Sequence, residues 1–92
     1  MKTDETANRR RGQNLMELRV AHGFTQKYIA DHLGITQTYY SQIEAGNREA
    51  SIRVLDSVAG VYQTSTHLIL GFLDDEYSLS EVWAELGINL RQ

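Results

Sequence analysis

The chain of 92 residues contains no cysteine, which excludes disulfide bridges and metal sites built on thiolates. Only three histidines occur, His22, His32 and His67, and they are scattered along the sequence. We therefore expect neither a bound metal ion nor a cofactor. A chain without disulfides is typical of a reducing compartment, so the cytoplasm is the expected location.

Long apolar runs and proline are also missing. No apolar run approaches the roughly 18 residues of a membrane-spanning helix. Residues 1–6 contain no apolar stretch of the kind that forms a signal peptide. Proline is absent, and no segment alternates between apolar and polar residues over a useful length. These features predict an all-α fold with room for one compact domain.

The charge of the chain is unevenly distributed. The formal net charge of -3 disfavours, at first sight, a nucleic-acid partner. Residues 1–73, however, contain eight Lys and Arg against seven Asp and Glu, whereas residues 74–92 contain one against five. The acidity therefore belongs to the C-terminal segment. A nearly neutral body can still bind DNA where its cations share one face.

Glycines and capping residues divide the chain into short segments. Five glycines follow helix-compatible runs, where a left-handed residue ends a helix: Gly23, Gly34, Gly46, Gly71 and Gly87. Residues that cap helix N-termini begin the segments: Asn8, Thr25, Thr36, Ser51, Ser65 and Ser78. These signals predict six helices, over 9–22, 26–33, 37–45, 52–63, 66–70 and 79–86. Residues 1–8 are expected to form a flexible arm.

The second and third predicted helices form the most informative pair. A turn of about three residues around Gly34 joins them, and the small Ala30 lies four residues before that glycine. Small residues at these two positions let helices cross closely at a steep angle. Apolar residues are expected to hold the angle: Ile29, Leu33, Ile35, Tyr40 and Ile43.

The other face of helix 37–45 is polar and uncharged. Gln37, Thr38, Ser41 and Gln42 all carry hydrogen-bonding groups in its N-terminal half. Gln can bond both N6 and N7 of adenine, and the Thr methyl can contact the methyl of thymine. This face therefore has the chemistry that reads base edges in a major groove. The alternative is a polar face that contacts only solvent.

Residues 9–71 resemble the phage Cro and repressor type of helix-turn-helix domain, which is called the XRE or lambda-repressor-like family. The segments that carry the resemblance are Gly12-Gln-Asn-Leu-Met-Glu-Leu-Arg19, Gly23-Phe-Thr-Gln26, Ala30, Gly34-Ile-Thr36, Tyr39-Tyr-Ser-Gln-Ile-Glu-Ala-Gly46 and Leu55-Asp-Ser-Val-Ala59. The resemblance implies a compact five-helix DNA-binding domain, so the sixth predicted helix, 79–86, is expected to be an additional short C-terminal helix. It also implies a sequence-specific regulator of transcription, most often a repressor, that binds a palindromic operator in double-stranded DNA as a homodimer.

The resemblance further implies roles for individual residues. Base contacts are expected from Gln37, Thr38, Ser41 and Gln42. Contacts to the DNA backbone are expected from residues that flank the motif: Gln26, Lys27, Tyr39, Asn47 and Arg48. Tyr39 could instead pack on a neighbouring loop. Lys27 could instead be an exposed cation that contacts only solvent. Arg19 and Glu44 match a family pair that forms a partly buried salt bridge and keeps the arginine from DNA.

The acidic segment 72–92 is expected to end in a dimerisation helix. Ser78 and Glu81 form a capping box, and one stripe of the predicted helix is apolar: Leu79, Val82, Trp83 and Leu86. A second copy of the chain is the expected cover for that stripe. Docking on the same domain and binding of a different protein stay open as alternatives.

The sequence offers nothing that favours an enzyme. It has no glycine-rich phosphate loop and no cysteine nucleophile, and no motif places a histidine beside a carboxylate. The competing class is a protein-interaction module, such as an antitoxin, in which the C-terminal helix holds a partner protein and DNA binding is secondary.

Overall fold

A computed structural model describes residues 3–74 and Glu81. Within this part the chain forms five helices and no strand. They are α1 (Thr3–Ala21), α2 (Gln26–Leu33), α3 (Gln37–Glu44), α4 (Ile52–Val61) and α5 (Thr66–Leu73). The predicted all-α, five-helix fold is confirmed. None of these helices is long and apolar enough to span a lipid bilayer.

Four helices begin at the predicted capping residues. In each case a Ser or Thr oxygen accepts a hydrogen bond from the backbone N–H three residues later, which satisfies one of the unpaired donors of the first turn. The pairs are Thr25 with Tyr28, Thr36 with Tyr39, Ser51 with Val54 and Ser65 with Leu68. Because these contacts are local, the sequence alone predicts the starts of α2 to α5 correctly.

Two predicted helix boundaries differ from the structure by three residues or more. We expected Asn8 to cap the first helix and residues 1–8 to be an arm, but α1 begins at Thr3. Gly71 was expected to end the fifth helix, but it is buried within α5, which continues to Leu73. Burial of the two residues after Gly71 outweighs its helix cost of about 1 kcal/mol.

One core lies between all five helices. It draws on α1 to α5 and on the turn after α4, and its members are Leu15, Leu18, Ile29, Ala30, Tyr40, Ile43, Val54, Leu55, Val58, Ala59, Tyr62, Ile69, Phe72 and Leu73. α1 packs against both α3 and α5, while α2 packs against α3 and α4. α3 therefore has one face in the core and one free for other contacts.

The closest approach between α1 and the end of α3 occurs at two glycines. A Cβ atom on Gly12 would lie 2.5 Å from the carbonyl oxygen of Ile43, and closer still to that of Glu44. A Cβ on Gly46 would lie 2.8 Å from the Cα of Arg9, and Gly46 also has a φ of 84°. Neither position has room for a side chain, so these glycines set how deeply α1 seats against α3.

The end of α5 is held by polar groups of α1. The buried Asn14 donates from Nδ2 to the carbonyl oxygens of Phe72 and Leu73, at 3.2 and 3.0 Å. Arg11 forms two hydrogen bonds with the Asp74 carboxylate, of 2.7 and 3.1 Å. The Asn14 contacts satisfy carbonyl groups at the C-terminus of α5. Together with the Arg11–Asp74 ion pair they anchor the point where the acidic segment begins.

Candidate nucleic-acid interface

The turn between α2 and α3 has the geometry predicted from its two small residues. Gly34 adopts a left-handed conformation with a φ of 72°, and the amide of Ile35 donates to the carbonyl oxygen of Ala30 at 3.0 Å. Ala30 itself is buried. Ile29, Tyr40 and Ile43 are buried as well, while Leu33 and Ile35 pack against the core and are partly buried. The core contacts therefore hold α2 and α3 against each other.

The four predicted base-contacting residues lie together on α3. Gln37 and Thr38 are exposed, and Ser41 and Gln42 are partly buried. At 100° per residue these four side chains share one side of the helix, opposite Tyr40 and Ile43 in the core. The helix thus presents a row of uncharged hydrogen-bonding groups on its outward side.

Arg48 contacts this row of polar side chains at Gln42. Its Nε donates to Oε1 of Gln42 at 3.2 Å. Its guanidinium carbon lies 4.9 Å from the centre of the Tyr39 ring, within the range of a cation–π contact. Asn47 is exposed, and its backbone amide donates to the carbonyl oxygen of Gln42 at 2.9 Å. The loop after α3 therefore folds back against the outward side of the helix.

The predicted Arg19–Glu44 salt bridge is present. Nε of Arg19 lies 2.7 Å from Oε2 of Glu44, and Nη2 donates to Oε1 at 3.0 Å. Nη1 of Arg19 donates to the carbonyl oxygen of Phe24 at 2.8 Å. Nε2 of Gln26 also donates to Oε1 of Glu44, at 3.0 Å. A single carboxylate thus joins α1, the start of α2 and α3.

Tyr40 is a third partner residue of the same carboxylate, after Arg19 and Gln26. Burial and a hydrogen bond to Glu44 raise the pKa of Tyr40 above its ordinary value. Burial alone would raise the pKa of Glu44, but the hydrogen bonds from Arg19, Tyr40 and Gln26 lower it below the usual range. Glu44 is therefore held as a carboxylate. The Tyr40 hydroxyl thus adds a hydrogen-bond donor to the cluster around Glu44.

The other two residues predicted to contact the DNA backbone, Gln26 and Lys27, lie on α2 and not beside the row on α3. Gln26 begins α2 and is partly buried, with one amide hydrogen bond committed to Glu44. Lys27 is exposed and forms an ion pair with Asp31 one turn later, at 3.2 Å. The predicted dimer residues Leu79, Val82, Trp83 and Leu86 lie outside the described residues.

Two of the side-chain contacts have no local signal in the sequence. Arg11 and Asp74 are 63 residues apart, and Arg48 reaches Gln42 across a helix end and a loop. The spacing of six between Gln42 and Arg48 is not one that a continuous helix would bring together. Only the course of the backbone after Gly46 makes that contact possible.

Comparison with known proteins supports the same motif. A family model described as helix-turn-helix matches residues 15–69, which is more than half of the chain. The chain belongs to the XRE-type helix-turn-helix family. The match spans the α2–α3 motif, α4 and the first half of α5, so the family resemblance seen in the sequence is confirmed.

Several relatives of this helix-turn-helix chain occur in Bacillus subtilis (strain 168). It is 30% identical over 71 residues to the SPbeta prophage-derived uncharacterized HTH-type transcriptional regulator YonR, covering 77% of this chain and 66% of that protein. It is 35% identical over 63 residues to the uncharacterized HTH-type transcriptional regulator YobD, covering 68% and 56%. It is 35% identical over 57 residues to the HTH-type transcriptional regulator AnsR, covering 62% and 49%. The chain thus spans about half to two thirds of the length of these relatives.

Proposed function

We propose that this chain is a sequence-specific, double-stranded DNA-binding regulator of transcription that inserts α3 into the major groove. The observation that carries the proposal is the outward side of α3. Its N-terminal half presents Gln37, Thr38, Ser41 and Gln42, and its opposite side is locked into the core by Tyr40 and Ile43. Side chains with both donors and acceptors on a rigid helix suit the readout of base edges.

Groups beside that row are suited to hold the DNA backbone. Arg48 carries a positive charge next to Gln42, and the start of α2 at Gln26 presents backbone N–H groups. Phosphate contacts of this kind fix the register of a protein on DNA without reading the sequence. The nearly neutral body of the chain needs only a few such contacts where they lie beside α3.

The assembled form that we propose is a homodimer on a palindromic operator. One helix-turn-helix motif contacts a short half-site, and two-fold dimers of this class bind two half-sites about one helical turn apart. A protein that covers two half-sites prevents other proteins from reaching that DNA, so we propose repression as the outcome. The site of action is then the cytoplasm, where the DNA of a prokaryote or phage is found.

Selection of bound sequences from random double-stranded DNA tests the proposal. We expect one palindromic site to be enriched by the full chain. Gln37→Ala should weaken binding to that site by about 1–3 kcal/mol and relax the preference at one base pair of each half-site. Gln13→Ala, an exposed glutamine on α1, is the matched control and should leave the site and the affinity unchanged.

The opposite results are equally clear. If the full chain enriched no sequence, the proposal that this protein binds DNA sequence-specifically would be wrong. If Gln37→Ala bound the selected site as tightly as the parent, α3 would not be the reading helix. Enrichment of no sequence, together with a second protein that co-purifies with the chain, would instead support a protein-interaction module.

A further inference from the structure

The contact between Arg48 and Gln42 determines which way the Gln42 carboxamide faces. Nε of Arg48 lies 3.2 Å from the carboxamide, and an arginine side chain has donors but no acceptor. The carboxamide atom that faces it is therefore the oxygen, Oε1. Because the carboxamide is planar, its amino group Nε2 lies on the side away from that contact.

Arg48 is itself held in place from a second side. Its guanidinium lies over the ring of Tyr39, 4.9 Å from the ring centre. Tyr39 is partly buried and packs against the core, so the ring is a fixed platform. A planar guanidinium that rests on a ring and donates to a neighbouring oxygen loses fewer orientations on binding than an arginine free in solvent.

We propose that Arg48 is a positioning residue that makes Gln42 select guanine over adenine. The proposal rests on the proposed placement of α3 in the major groove. A glutamine that is free to rotate can pair with adenine, because its oxygen accepts from N6 and its amino group donates to N7. With Oε1 engaged by Arg48, the pair presents mainly donors: the Nε2 amino group and the remaining N–H groups of the guanidinium.

Guanine fits that set of donors and adenine does not. The major-groove edge of guanine has two adjacent acceptors, N7 and O6. Adenine has an amino group in place of O6, and this donor would approach the cationic guanidinium beside Oε1. The expected preference therefore differs from the adenine pairing that glutamine alone would favour.

The test compares base preference at the pair that Gln42 contacts. That pair is identified in the selected site as the one at which Gln42→Ala relaxes the preference. The full-length parent should bind a site with G·C at this pair on the order of tenfold more tightly than one with A·T, within the usual range for a good side-chain contact. In Arg48→Ala the carboxamide can rotate, so the ratio should fall to about twofold or reverse.

Two further variants separate orientation from charge. Tyr39→Leu removes the platform and keeps both Arg48 and Gln42, so it should lower the G·C preference in the same direction. Arg53→Ala removes one positive charge from an exposed position on α4 and should keep the preference of the parent. A purely electrostatic role for Arg48 would weaken both sites equally and leave the ratio unchanged.

The outcomes distinguish this inference from the proposed function. A selected site with A·T at the pair that Gln42→Ala relaxes would overturn the role of Arg48 and leave DNA readout by α3 intact. A G·C preference that survives in Arg48→Ala would overturn it as well. If no site were selected at all, the proposed function would fail and this inference with it.

Discussion

Arg19 and Glu44 form a two-point ion pair that ties α1 to the end of α3. The distances are 2.7 Å from Nε to Oε2 and 3.0 Å from Nη2 to Oε1, and the two side chains are 13% and 4% exposed. The same carboxylate accepts a hydrogen bond from Gln26 at the start of α2. The pair therefore holds in place the helix that we propose to read bases. Its two side chains are mostly buried and lie apart from the proposed base-reading residues.

Removal of the carboxylate should be costly. Glu44→Ala leaves the Arg19 charge without its partner in a mostly buried site, and such losses amount to about 3 kcal/mol. We expect a fall of that order in the free energy of unfolding, measured by urea titration. Glu49→Ala is the control, because Glu49 is exposed in the loop after α3, and its effect should be within about 0.5 kcal/mol. Equal losses in the two variants would contradict a structural role for the pair.

The same site makes stability depend on pH. The pKa of Glu44 lies below its usual range, because the hydrogen bonds from Arg19, Tyr40 and Gln26 outweigh the opposing effect of burial. A group with a lowered folded-state pKa contributes stability above its unfolded pKa, about 4.3 for Glu, and loses it as the pH falls through the folded value. The parent should therefore be more stable than Glu44→Gln at pH 7, and the difference should shrink below about pH 4. A difference that stays constant from neutral to acid pH would refute this.

How much of the fold can be predicted from the sequence depends on the range of the contact. The caps at Thr25, Thr36 and Ser51 join residues three apart, so the sequence displays both partners and the helix starts are correct. The end of α5 was wrong because a long-range effect, the burial of Phe72 and Leu73, overrides the local glycine signal.

Gly12 is a second case in which only the folded chain gives the reason for a residue. In the sequence it lies inside a helix, where glycine is unfavourable. In the structure it faces the backbone of Ile43 and Glu44, where any side chain would collide with carbonyl oxygens. No pattern within α1 can indicate a neighbour that lies some 30 residues further along.

Two glycine substitutions test this close approach. Gly12→Ala should lower the free energy of unfolding by about 1–3 kcal/mol, because backbone atoms of α3 must move to admit the methyl group. Gly60→Ala is the matched control within α4, since a Cβ there meets nothing within 4 Å. It should raise stability by about 0.5–1 kcal/mol through better helix propensity. The idea fails if both substitutions stabilise the protein.

In the candidate site, too, local spacing was predictable from the sequence and long-range contacts were not. Helical spacing was sufficient to group Gln37, Thr38, Ser41 and Gln42 on one side of α3. The partner of Gln42 was not predictable, because the chain between Glu44 and Arg48 leaves the helix, and its path depends on Gly46 in a left-handed conformation. Which amide atom faces the arginine is thus a property of the fold and not of the pattern.

Arg48 should also contribute to the salt dependence of binding. Each phosphate that is neutralised by a cation releases counterions, with a slope of about -0.9 in log affinity against log salt. Arg48→Ala should therefore flatten the measured slope by about 1 per subunit, for selected and unrelated DNA alike. Arg53→Ala, at its exposed position on α4, is the comparison and should change the slope less. An unchanged slope in Arg48→Ala would mean that its guanidinium serves only Gln42.

The last prediction concerns the acidic C-terminal segment, whose predicted apolar stripe lies outside the described residues. The five helices share one apolar core, and Arg11 and Asn14 anchor the point where the segment starts. A tryptophan on such a stripe is typical of an interface anchor. We therefore expect the full chain to sediment as a homodimer, and Trp83→Ala to shift it towards monomer at concentrations on the order of 10 µM.

Met16→Ala, at a residue of α1 that is 39% exposed, is the control for loss of an apolar side chain and should stay dimeric. Melting curves distinguish the alternatives. If Trp83→Ala lowers the melting temperature of a protein that is monomeric in both forms, the stripe docks on its own domain. If both forms are dimers, the interface lies in the five-helix body. Since two half-sites are bound together only by a dimer, loss of dimerisation should also make binding to a palindrome no tighter than binding to a single half-site.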